Sequence, residues 1–224
     1  VANTGTLTVK AADVQNATAN GATTITNTGT LNLLGEATVT VTGTIVSGVD
    51  GSGTINVYDG SGGAAIVNTI SGLIGSATDS LSTLNVGGDD SSNTDAGRVK
   101  FTADVNVDTV TITSGEDGGE QSTATFADNL NAVTTTLTTD TGGDAIAIFE
   151  AGSGNTTIVN GTIDGGGAVN IISGSTGTTT FNGNLGTGTT LKSFFVGAAD
   201  IADINADLTA LAITFDDATA QLKV

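Results

Sequence analysis

The residues best suited to chemistry in this chain are acids set in glycine-rich loops. Asp89, Asp90, Asn93 and Asp95 fall within the run 87–97, and Glu116, Asp117 and Glu120 fall within 114–120. Carboxylates and amides this close in sequence supply the oxygen ligands that calcium takes in sets of about six to eight. Both loops are therefore candidate calcium sites, and calcium is the one cofactor the sequence suggests. Neither loop has the spacing of an EF-hand or of the glycine-rich nonapeptide calcium repeat. An ordinary solvated loop accounts for the same residues without an ion.

A second group of polar residues recurs instead of clustering. Asp104, Asn129, Asn184 and Asp207 hold the same place in four phrases: Phe101–Val105, Phe126–Leu130, Phe181–Leu185 and Ile204–Leu208. Asn and Asp bond to their own backbone and tolerate left-handed conformations, so these positions read as chain corners. The alternative is a ladder of carboxylates along a groove, the chemistry glycan cleavage needs. Nearly every acid sits among Gly, Ser and Asn, however, and Tyr58 is the only tyrosine in a chain with no Trp to stack on a sugar. No catalytic residue is assigned, and no enzyme is expected.

Composition narrows the choices further. Among 224 residues there is no His, Cys, Trp, Met or Pro. That removes imidazole bases, thiolate nucleophiles, disulfides and the usual zinc and copper ligands. A net charge of −18, from 23 acidic and 5 basic residues, repels nucleic acid and anionic lipid. No apolar run approaches the ~20 residues of a membrane span. Neither a nucleic-acid partner nor membrane insertion is expected. Cysteine avoidance fits an extracellular, cell-surface location. The chain opens at Val1 and is read as a processed protein or a segment of a longer one.

The elements that position these residues are short strands. From Val99 to Ile112 apolar and polar residues alternate, with a one-residue slip at Ala103-Asp104 that reads as a bend. In the first half the phrase Gly-Thr-apolar-polar-apolar begins at Gly5, Gly29 and Gly53, with a variant from Ser82. The Phe101 phrase and its copies repeat through the second half, with a looser version at Ile158–Ile163. Both halves repeat at about 23–32 residues, a period that marks a solenoid. The expected fold is an all-β solenoid, a parallel β-helix, with apolar side chains inside and threonine outside. An antiparallel β-sandwich is the alternative. Residues 201–211 carry some helical spacing but are read as strand. Residues 1–224 are taken as one domain with a candidate division at the acidic loop 87–97, after which all seven Phe occur.

Thr178–Leu185 and Thr138–Ala145 resemble repeats of large bacterial surface proteins, including autotransporter passenger-like adhesins and some surface-layer proteins. The resemblance covers about residues 97–215. It implies secretion, a β-helical or strand-rich fold and a role in scaffolding or adhesion, and it transfers no catalytic residue. Three readings of function follow. The first is a structural subunit that assembles with copies of itself into an array or filament. The second is the stalk or binding module of an adhesin, with a cell-surface glycan as partner. The third is a glycan-active β-helix enzyme.

Overall fold

A computed structural model describes residues 2–3, 6–10, 24–34, 39–58, 67–88, 96–115, 120–140, 142–172 and 176–224. Every regular element among them is a β-strand, and none of them forms a helix long and apolar enough to cross a membrane. The strands build a β-solenoid of parallel sheets. Hydrogen-bonded neighbours lie about one repeat apart in sequence, as Phe101 and Phe126 do. An antiparallel sandwich would instead join neighbours through tight hairpins.

Each rung crosses three faces. The first face is an eight-stranded ladder that begins at Thr40–Val41, passes through Arg98–Phe101, Ser122–Phe126 and Ala145–Phe149, and ends at Ile213–Phe215. The second begins with Ala2–Asn3, Thr24–Asn27 and Thr44–Val46. It runs through a single bridge at Ile74 into Val105 and ends with Ile201–Ile204 and Gln221–Lys223. The third carries Thr6–Lys10, Thr30–Leu34, Ser52–Tyr58 and Leu81–Val86. Three long strands, Val105–Thr113, Leu130–Thr138 and Thr156–Gly165, bend from the second face onto the third. They merge the two faces into one ladder of ten strands. At roughly 4.8 Å per strand, that ladder rises about 43 Å.

Alternation explains the core. Every second residue points inward, and parallel in-register pairing stacks equivalent residues into columns. Ile70, Phe101, Phe126, Phe149 and Ile171 form the first-face column, all essentially inaccessible to solvent. Five phenylalanines touch in series. Phe101 and Phe126 stack at 5.2 Å between centroids, and Phe126 and Phe149 at 5.5 Å. Phe181 and then Phe194 continue the series edge-on at 5.3 and 5.9 Å.

The first-half phrase behaves as its spacing requires, with Thr6, Thr30, Thr54 and Thr83 in one register column. The second-half phrase does not. Phe101 pairs with Phe126 on the first face, whereas Phe181 pairs with Val159 and Ile204 on the second. Two of the four aligned phrases are therefore displaced by one face. The cause is that each face carries the same local pattern of apolar residue, corner and apolar residue. Residues 201–211 are strand and bridge, as expected, with Leu208 and Ala210 continuing the ladders.

Threonine is not confined to the outside. Thr135, Thr157 and Thr179 are buried, because a β-branched side chain of valine's shape fits an inward strand position. The Thr179 hydroxyl is enclosed with no hydrogen-bond partner among the described residues. A buried hydroxyl without a partner costs on the order of 1–3 kcal/mol. Thr179→Val is therefore expected to raise unfolding stability by about 1 kcal/mol, read as a higher urea midpoint at unchanged slope.

Candidate functional site

Amide side chains organise the polar surface. Asn56 Nδ2 donates to Asn32 Oδ1 at 2.7 Å, and Asn85 Nδ2 donates to Asn56 Oδ1 at 2.8 Å. A longer ladder starts where the Asn106 amide donates to the Ile74 carbonyl. Asn131, Asn160, Asn182 and Asn205 follow, each donating to the amide oxygen one rung earlier at 2.6–2.9 Å. Sequence reasoning missed these ladders. The signal was present as Asn32, Asn56 and Asn85 in the first-half phrase, and as Asn160, Asn182 and Asn205 after an inward apolar residue.

The recurring corner residues fall at two corners. Asp104 Oδ1 accepts from the Asn129 amide at 2.9 Å, and Asn129 Oδ1 accepts from the Ile158 backbone N–H at 2.8 Å, both at the turn from the first face to the second. Asn184 Oδ1 accepts from the Asp207 N–H at 3.3 Å, at the turn from the second to the third. The side chains bond backbone and neighbouring rungs, which is corner chemistry. Among the described residues, no three carboxylates gather as a metal site would need.

One pair of acids is close. Burial raises the Asp128 carboxyl above its ordinary 3.8, the Asn129 N–H opposes that, and the charge of Asp104 adds to it. The folded state then holds the Asp128 proton more tightly than the unfolded state. The charged form therefore weakens the fold as pH rises from about 4 through the raised value. Asp128→Asn keeps the acceptor for Asn129 and removes the charge. It is expected to stabilise by a few tenths of a kcal/mol at neutral pH, with the gain vanishing below pH ~4. Thermal melts across pH check this.

Of the candidate calcium ligands, Asp89, Asp90, Asn93, Asp95, Glu116 and Asp117 lie outside the described residues. Glu120 is described. Its Oε2 is enclosed beside Gly115 without a partner among the described residues. On either side of 89–95 the strands join the same ladders, Leu81–Val86 pairing with Val105–Thr113 and Asn68–Ile70 with Arg98–Phe101.

Two surface features stand out. The first is a groove of about 400 Å³ where the second face meets the third. Ser76, Ala77 and Ser80 form its lip, in a loop that the later rungs replace with continuous strand. Asn106, Asn131 and Asn160 of the ladder line it, with Asp108 beside them. Ser80 ties the lip down, its hydroxyl donating to Asp108 Oδ1 at 2.7 Å and its N–H to Asp50 Oδ1 at 2.9 Å. The second feature is the last rung. Ile213–Phe215 and Gln221–Lys223 each pair on one side among the described residues. Leu211, Ile213 and Phe215 there are 79%, 43% and 45% exposed.

Stacked parallel sheets around a single column-built core define a repeat protein of the β-solenoid class. Comparison with protein-family models, with curated proteins and with solved structures finds no match.

Proposed function

We propose that the protein is an extracellular structural protein of the cell surface, a subunit that assembles with copies of itself into an array or filament. The observation that carries this reading is the parallel, in-register stacking of the rungs, in which each rung buries its inward side chains against the next. A strand with one free edge is a template for another strand. Among the described residues, Ile213–Phe215 and Gln221–Lys223 pair on one side only, and Ile213 and Phe215 are half exposed there. Phe194 and Val196, the counterparts of Ile213 and Phe215 one rung earlier, are buried beneath the next rung, so a further β-layer, from more of the same chain or from a second copy, is the surface these two side chains fit. A subunit of this kind needs no catalytic residue, and none is assigned.

The test is sedimentation velocity over a wide concentration range, with electron microscopy of the concentrated sample, each with and without calcium. Growing oligomers or filaments are expected, and Phe215→Lys, which sets a charge in the contact, should abolish them. A strictly monomeric protein under all of these conditions overturns the reading.

The groove and the long regular stack favour a second reading, the stalk or binding module of an adhesin. On that reading the chain stays monomeric and holds a partner along its side.

A further inference from the structure

The groove beneath the Ser76–Ser80 lip is a binding site in its own right, and we infer that it takes a segment of a neutral polysaccharide. The argument starts from the asparagines. An amide has two N–H donors and two acceptor lone pairs. In the ladder, Asn131 and Asn160 each spend one donor on the rung before and one lone pair on the rung after. Asn106 spends its donor on the Ile74 carbonyl and its lone pair on Asn131. Asn131 and Asn160 thus each keep one donor and one acceptor at the groove, above Asn106, which is buried and anchors the row. These repeat at the strand spacing of roughly 4.8 Å, as a regular row.

A row of paired donors and acceptors matches a chain of repeating hydroxyl groups, since a hydroxyl both donates and accepts. The lining holds one carboxylate, Asp108, and no Lys or Arg. With a chain charge of −18, that disfavours an anionic polymer, and the row of uncharged amides points to a neutral one.

The groove also has an apolar element beside a backbone irregularity. The ladder pairs Asn131 with Asn160 and Thr134 with Thr162, so Ala132 and Val133 together oppose Gly161. This is a β-bulge. Val133 lies in this bulge, in register with outward-facing Asp108 of the preceding rung, and is 68% exposed within the lining. Val133 supplies a surface for the C–H face of a sugar ring, in a groove whose volume lies in the usual range of ligand sites.

The inference does not rest on self-assembly, because the groove spans rungs far from the exposed last strand. The test is isothermal titration of the whole chain with soluble neutral oligosaccharides (glucan, mannan, galactan and N-acetylglucosamine series). An anionic oligogalacturonate and an uncharged extended peptide serve as comparison ligands. Saturable binding to one neutral series is expected, tightening with oligosaccharide length. Val133→Arg, a change at an exposed position, should weaken that binding about tenfold or more without altering the melting curve. Asn131→Ala should weaken it as well. The inference is overturned if no neutral series binds, if the peptide or the anionic ligand binds in its place, or if binding survives Val133→Arg.

Discussion

Replacing Phe126 by alanine is expected to destabilise the protein by about 4 kcal/mol or more, the largest effect of any single side-chain truncation in the core. Phe126 is wholly buried and lies between Phe101 and Phe149, nearly parallel to both, with interplanar angles of 14° and 20°. The loss has two parts. Removing the ring leaves a cavity whose walls belong to neighbouring rungs. Those rungs cannot collapse inward without breaking ladder hydrogen bonds, so the cavity cost is not relieved. Two ring contacts also disappear, each worth roughly 0.5–1.5 kcal/mol beyond the buried area. Phe126→Leu, which keeps most of the volume, should cost about 1.5 kcal/mol. Phe215, the last member of the same column, is half exposed, and its replacement by alanine should cost far less. Urea unfolding followed by circular dichroism checks all three. Because each rung contacts only its neighbours, a gap in the middle of the stack can uncouple the two ends. A lower unfolding slope in Phe126→Ala, with two transitions where the parent shows one, would report that uncoupling.

Gly161→Ala is expected to cost about 3 kcal/mol or more through the backbone alone. Gly161 has φ of +85°, and a Cβ there would lie 1.7 Å from the Ala132 carbonyl oxygen and 2.7 Å from that of Val133. Both oxygens belong to the bulge facing it, so neither is the movable end of a side chain. Gly154 isolates the conformational part. It has φ of +71° with nothing within 4 Å of a Cβ, so Gly154→Ala should cost only about 1 kcal/mol. The difference between the two variants measures the close approach. If they destabilise equally, the bulge is not packed against Gly161. Gly161→Ala is also expected to displace Val133 and so alter the groove, whereas Gly154→Ala should leave it unchanged.

Much of the architecture was legible along the chain. Strand alternation from Val99 to Ile112 and the slip at Ala103-Asp104 correspond to two strands and the corner between them. The first-half phrase identified true structural equivalents, because its threonines share a register column. The second half was misphased. Phe181-Asn182-Gly183-Asn184-Leu185 looks like Phe101-Thr102-Ala103-Asp104-Val105, yet it turns a different corner. A period-2 pattern says which side chains point inward and carries no label for the face. That label comes only from which strand lies above and below.

The candidate site shows the same division more sharply. The chain by itself settled that apolar side chains alternate toward a core, that it holds no imidazole or thiol, and that Asn and Asp recur with the repeat. Those properties depend on residue type and spacing, which are local. Only the stacking of rungs decided that Asn106, Asn131 and Asn160 share one line of hydrogen bonds. Stacking also decided that a loop present in one rung and missing from the next three leaves a groove, and that Ala132 and Val133 together oppose Gly161. Each of these arises from a mismatch between neighbouring rungs. A repeat read along the chain shows what successive rungs have in common, while a groove or a bulge exists where they differ.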